Sequence, residues 1–210
     1  MDMENLKLVP LWVITFLISA AFHEFAHAWT AYKLGDDTAA RMGRLTINPI
    51  VHIDPVGLIF LVLMSISGFG IGWAKPVPVN PFNFKNPRRD NMLVALAGPV
   101  SNIILAFFFV LLYKIFPGLY AADNPVSTLL VIFLMLNMVL AAFNLLPIHP
   151  LDGSHIIEGI LPRDLAESWT KTYPYGFVIL IILLMTGLLG KLITPILAFI
   201  SFIIGSPLRF

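Results

Sequence analysis

The chain has 210 residues, 58% of them hydrophobic and 12% charged, with a mean hydropathy of +0.87, whereas soluble domains carry about 25% charged residues. A soluble fold of this length buries only about 70% of its unfolded surface, so this much apolar surface requires lipid as a second solvent. Thirteen Lys and Arg balance twelve Asp and Glu, which leaves no basic face for nucleic acid. The absence of cysteine excludes a disulfide framework, a thiolate nucleophile and a Cys-bound metal.

Runs long enough to cross a bilayer, about 20 residues, fall at 8–34, 91–113, 127–150 and 176–204. Lys7 before the first run and Ala26-His27-Ala28 within it resemble a signal peptide. Cleavage there would discard His23, Glu24 and His27, polar groups that a disposable leader has no reason to carry, so the run reads as a retained span. Residues 41–47 (RMGRLTI) and 72–79 (GWAKPVPV) predict a small β-element at the membrane surface. Pro76 and Pro78 are confined to an edge that could accept a peptide strand. Val56–Gly72, with glycines at 68, 70 and 72, either spans or dips in and returns. The loop 81–90 is polar, with Lys85, Arg88 and Arg89. The last run carries Gly187, Gly190, Lys191 and Pro195 and reads as one tilted helix or as two segments joined at Lys191. These elements predict an all-α polytopic membrane protein of about four to six membrane segments, with a small surface β-element and 56–72 as a candidate re-entrant segment, in a single domain over 1–210.

His23-Glu24-Phe25-Ala26-His27 is an H-E-x-x-H sequence inside an apolar helix. Residues four apart on a helix lie about 40° round and about 6 Å along, so both imidazoles reach one ion while Glu24 stands beside it as a base for water. An ionisable residue within a span is expensive and marks function by default. A catalytic zinc takes three protein ligands and keeps a fourth position open. Candidates for the third ligand are His52, Asp54, His149, Asp152, His155 and Glu158. Pro147 and Pro150 break the helix before Asp152, and Gly153 allows a tight turn, which places Asp152 on irregular backbone of the kind that lines wet cavities in membranes. Asp152 is therefore preferred, beside a polar cleft that admits water. Asn144, eight residues earlier, is an amide that can steady an oxyanion or a substrate backbone. Asn102 and Asn137 read as packing residues, and His52 as a loop residue.

The sequence resembles the site-2 proteases, intramembrane zinc metalloproteases. The resemblance rests on His23-Glu24-x-x-His27, on Asn144-x-x-Pro147 with Leu151-Asp152-Gly153, on Ala97-Gly98-Pro99 with Ser101-Asn102, and on Gly72-Trp73-Ala74-Lys75-Pro76-Val77-Pro78-Val79-Asn80. It covers most of residues 20–160, with no PDZ-like insertion or C-terminal regulatory module. It implies one zinc per chain on His23, His27 and Asp152, with Glu24 as general base. The implied substrate is a transmembrane protein, cut in or near its membrane segment; association with a second copy stays open.

If His27 and Asp152 share an ion, the helices leading to them run parallel and an odd number of crossings separates them. Residues 91–113 supply one, so 56–72 should be re-entrant. The metal side then collects Arg41, Arg44, Lys75, Lys85, Arg88, Arg89, Arg163 and Lys171 against Lys7 and Lys114 opposite, which puts the metal-side loops in the cytoplasm of a multi-pass plasma-membrane protein. The competing class is a metal transporter or a catalytically silent membrane adaptor; a transporter needs alternating access from both faces and has no evident use for a glutamate placed as a general base beside the ion.

Overall fold

A computed structural model of the chain describes residues 3–66, 72–121 and 124–208. Among the described residues, four helical stretches are long and apolar enough to cross a membrane: 6–34, 87–115, 125–144 and 163–185. The first helix, α1 (Met3–Leu34), buries Trp12, Phe16, Ser19, Ala20, His23, His27 and Ala31. These positions, three and four apart, form one stripe. A short turn, α2 (Thr38–Arg41), follows.

The next helix, α3 (Pro55–Ile66), starts where the Asp54 carboxylate accepts the Gly57 N–H at 2.8 Å. Its twelve described residues reach about 18 Å. The chain then comes back on itself. Ile53 and Ala74 form an antiparallel bridge, and the Lys75 N–H donates to the His52 carbonyl at 2.8 Å. A methyl on Gly57 would meet the Trp73 carbonyl, and one on Gly72 the Leu61 side chain. Residues 72–75 thus lie beside the first half of α3, an arrangement compatible with re-entry; Gly68 and Gly70 lie outside the described residues.

The expected β-element reduces to that single bridge, and its partner is Ile53 rather than 41–47. The reason is competition for backbone groups. Pro76 and Pro78 have no N–H. Arg44 donates to the carbonyls of Lys75 at 2.7 Å and Pro76 at 3.4 Å, and the Val77 N–H donates to Glu24 at 2.7 Å. Little of 72–79 is left for a ladder.

Helix α4 (Pro87–Ile115) runs back across the bilayer, with Pro87 in its first turn and the Asp90 carboxylate accepting the Asn86 N–H. After α5 (Gly118–Ala121), Asn124 and Ser127 form a capping box that starts α6 (Pro125–Asn144). That helix stops short of 150 because Pro147 follows its end. Then come α7 (Asp152–Ile160), α8 (Arg163–Thr170), α9 (Gly176–Met185) and α10 (Leu188–Ile204). The last apolar run breaks at Gly187, whose φ is +71°, and not at Lys191, which lies inside α10. Glycine adopts that angle without the Cβ clash that other residues incur.

Two of the apolar clusters among the described residues join the long helices. Trp12, Phe16, Leu61, Ile132 and Leu136 join α1, α3 and α6. Ala106, Val110, Leu134, Met138, Leu197, Ile200 and Ile204 join α4, α6 and α10. A polar seam of Ser19, His23, Asn102 and Asn137, all buried, runs between α1, α4 and α6. Ala and Gly along this seam let the helix backbones approach, as membrane packing favours.

At the end of α1, fully buried Asp36 clamps the loop before α4. Its carboxylate accepts the Thr38 N–H and hydroxyl, the Asn83 amide at 2.7 Å and the Asn80 N–H at 2.8 Å. Burial pushes this carboxyl up, but those hydrogen bonds outweigh it and hold it below the usual carboxylate range. A folded value below the unfolded one means that the clamp stabilises fully above about pH 4 and is lost as pH falls through the folded value. Asp36→Ala strands these donors and is expected to cost about 2–3 kcal/mol. Thermal unfolding in detergent at pH 7 and pH 3 checks both: the deficit against wild type should be large at pH 7 and shrink at pH 3.

Candidate active site

His23 and His27 lie one turn apart on α1 and point towards the start of α7. Their Nε2 atoms are 3.0 Å apart. Asp152 Oδ2 lies 3.1 Å from His23 Nε2 and Oδ1 lies 3.4 Å from His27 Nε2. The ligand atoms of His23, His27 and Asp152 all fall within 4.8 Å of one another, the one such group of three among the described residues. The two imidazoles are buried, and the Asp152 side chain is 17% exposed.

Hydrogen bonds decide what these atoms offer. His27 Nδ1 lies 2.7 Å from the Val94 carbonyl, and His23 Nδ1 lies 2.7 Å from Asn102 Oδ1. Both oxygens only accept, so each ring donates its Nδ1–H and keeps a lone pair on Nε2. Neither neutral ring can then donate to the other or to Asp152. Consistent with this, Asp152 Oδ2 is buried with no hydrogen-bond donor. With both rings neutral, these three crowded acceptors call for a cation, and two imidazoles with a carboxylate are the donor set of a catalytic zinc.

The backbone makes room for this group. A methyl built on Gly98 would lie 2.4 Å from His27 Nε2 and 2.6 Å from His23 Cε1, so only glycine lets α4 approach both rings. Pro99 withholds an N–H from the Ala95 carbonyl, in the same turn whose Val94 carbonyl serves His27. Gly153 acts by close approach and not through a turn conformation: its φ is negative, and a methyl there would meet the Leu145 and Leu146 carbonyls within 2.4 Å. Its bareness seats α7 against the end of α6 and brings Asp152, in the first turn of α7, to the imidazoles. A carboxylate there also lies at the positive end of the helix dipole.

Glu24 is buried next to His23, and its Oε2 accepts the Val77 N–H. That bond to the returning segment fixes the carboxylate's orientation. Asn144, the last residue of α6, donates its amide to the Leu140 carbonyl at 3.0 Å. The other candidate ligands are engaged elsewhere. His52 bonds through Nε2 to the Thr46 carbonyl at 2.9 Å, Asp54 caps α3, and His155 lies 3.5 Å from Glu158. His149 sits among His155, Trp169 and Tyr173, where burial and then the His155 charge push its imidazole down from its usual range. A polar hollow opens at the end of α1, between Gly35, Asp37, Thr38, Arg41, Asn80 and Asn83. Of the three triad side chains, Asp152 is the most exposed.

Sequence reasoning missed Asn102, Val94, Val77 and Gly98 as partners of the site. Gly98 and Asn102 stand within the Ala97–Asn102 stretch that carries part of the resemblance. The Val94 carbonyl and Val77 N–H are backbone groups with no side-chain signal.

The profile of Peptidase family M50 matches residues 114–186. The protein named "Putative zinc metalloprotease YwhC" from Bacillus subtilis (strain 168) is 46% identical over 197 residues, 91% of this chain and 88% of that one. Rip2 of Mycolicibacterium smegmatis, which carries the same description, is 31% identical over 177 residues, 84% of this chain and 67% of its own. "Zinc metalloprotease MJ0392" of Methanocaldococcus jannaschii is 25% identical over 191 residues, 89% of this chain and 46% of its own. No solved structure matches the chain. Similarity of this extent, joined to an H-E-x-x-H helix whose imidazoles meet an aspartate, means that the chain belongs to peptidase family M50, the site-2 proteases, and is a membrane-embedded zinc metalloprotease.

Proposed function

We propose that this enzyme is an intramembrane endopeptidase that cuts peptide bonds in or near the transmembrane segments of other membrane proteins. The observation that carries this reading is depth. His27 and His23 lie seven and eleven residues before the end of α1, about 10 and 16 Å along its axis, within a stretch apolar enough to span. A substrate must bring its scissile bond down to that level.

His23, His27 and Asp152 hold the metal. Zinc bound there supplies a Lewis acid that acidifies water and polarises a peptide carbonyl. Glu24, oriented by the Val77 N–H, takes the proton from the attacking water and returns it to the leaving amine. Asn144, at the helix end that leads to Asp152, releases its local bond to Leu140 and steadies the substrate backbone or the developing oxyanion. A helical substrate bond is already hydrogen-bonded and shielded, so cleavage requires local unwinding; helix-breaking residues in the substrate favour it. The chain acts as one membrane unit over 1–210, in the plasma membrane, with Arg41, Arg44, Lys75, Lys85, Arg88 and Arg89 on the cytoplasmic side.

Zinc content and cleavage separate these roles. Glu24→Gln is expected to keep about one zinc per chain and to lose about 10²–10⁴-fold in cleavage of a reconstituted membrane substrate. Asp152→Ala and Gly98→Ala are expected to lose both. Retained cleavage in Glu24→Gln, or wild-type zinc in folded Asp152→Ala, refutes the assignment. For orientation, a cysteine replacing exposed Asn86 is expected to be shielded from an impermeant maleimide on intact cells. One replacing Gly118, where added atoms meet nothing, should be labelled. The opposite pattern reverses the topology.

A further inference from the structure

The polar seam beside the metal centre has a direction. Asn137 is fully buried on α6, and its amide nitrogen lies 2.9 Å from the Phe133 carbonyl and 2.9 Å from the Ser19 hydroxyl. A backbone carbonyl can only accept, so this nitrogen faces it and Oδ1 turns the other way. Asn137 Oδ1 then accepts from the amide nitrogen of Asn102 at 2.8 Å, a nitrogen that also lies 3.4 Å from the Ser19 carbonyl. With its nitrogen committed to two acceptors, fully buried Asn102 can present only oxygen to His23 Nδ1, 2.7 Å away.

We infer that Asn102, aligned by Asn137 and by the Ser19 and Phe133 carbonyls, is a positioning residue that holds His23 in the one tautomer whose Nε2 lone pair faces Asp152 and His27. The inference rests on the metal-centre reading above and extends it across three helices. A histidine free to choose would put its proton on either nitrogen, and the form protonated on Nε2 would donate to Asp152 and close the site to metal. The chain of amides removes that choice. Partners of this kind behind a ligating histidine typically change metal affinity about 10–100-fold. His27 obtains the same constraint more simply, from the Val94 carbonyl.

The test uses full-length protein in detergent with two readouts besides activity. Nitrogen NMR of ¹⁵N-histidine-labelled, metal-free protein reports the His23 tautomer, and competition with a fluorescent chelator reports zinc affinity. Wild type is expected to show His23 with its proton on Nδ1. Asn102→Leu is expected to lose that signature and to bind zinc about 10–100-fold more weakly. Asn102→Asp keeps an acceptor for Nδ1, with the Asn137 amide turned over to donate to it and the Ser19 hydroxyl donating in return, at a cost in stability because Asn137 Oδ1 then faces the Phe133 carbonyl. It is expected to retain both the tautomer and zinc binding. Asn137→Leu leaves Asn102 free to flip and should give mixed tautomers.

Unchanged tautomer and affinity in folded Asn102→Leu overturn the inference. If that variant does not fold, the other two decide: a pure Nδ1–H signal in Asn137→Leu with lost zinc in Asn102→Asp overturns it, and the reverse supports it. Asp152→Ala serves as the control. Wild-type zinc in that variant sinks the metal-centre reading itself, whereas an empty Asp152→Ala beside an unaffected Asn102→Leu sinks only the role of Asn102.

Discussion

Two imidazoles on successive turns of α1 each give away their Nδ1 proton, and most of the surrounding architecture follows from that constraint. With the outer nitrogens engaged by Val94 and Asn102, the inner ones become lone pairs 3.0 Å apart, facing a carboxylate with an undonated oxygen. An arrangement of acceptors alone is unfavourable in a low-dielectric interior, and a divalent cation relieves it. The protein therefore spends packing on holding together groups that would otherwise separate. Gly98 lets α4 press on the rings, Gly153 lets α7 seat against α6, and the apolar cores on either side of the seam keep the three long helices in register.

Depth sets the second constraint. Irregular backbone is tolerated within a membrane only where protein or water satisfies its polar groups, and both irregular segments near the site meet that condition by specific partners. The returning stretch 72–80 has its groups taken by His52, Arg44, Glu24 and Asp36. The turn from α6 to α7 is closed by the Ile148 and Leu151 N–H groups donating to Leu146 and Ile148. Glu24 thus has two roles at once. It is the proposed base beside the imidazoles, and it anchors the loop that would otherwise expose an unpaired N–H beside the site.

The helices and the His-His-Asp group were legible because their signals are local or chemically rare. His23 and His27 sit four apart on one apolar helix, and Asp152 stands beside prolines that end another. What was not legible depends on partners far away in the chain. Asn102 and Asn137 read as packing because their meaning comes from His23, 79 positions from Asn102, and from Ser19, 118 positions from Asn137. The β-element failed for a related reason: its residues have strand propensity, but Arg44 and Glu24 outcompete a neighbouring strand for the same backbone groups. The break in the last run went to Gly187 rather than Lys191, since a single positive φ ends a helix more sharply than a charge that can reach water from within one.

The polarity of the seam links these scales. A backbone carbonyl on α6, which exists because α6 is a helix, orients the Asn137 side chain; that orients Asn102 on α4, and Asn102 orients His23 on α1. In this proposal secondary structure sets the tautomer of His23, two helices away, without any charged group. A carboxylate behind His23 would do the same work for the imidazole, but a lone charge at this depth costs several kcal/mol more to bury than an amide whose groups are all paired. Amides give the direction of a charged partner without its desolvation. They can do so only while every donor and acceptor along the seam is matched, which is why the seam is fully buried and bridges all three of the helices around the site.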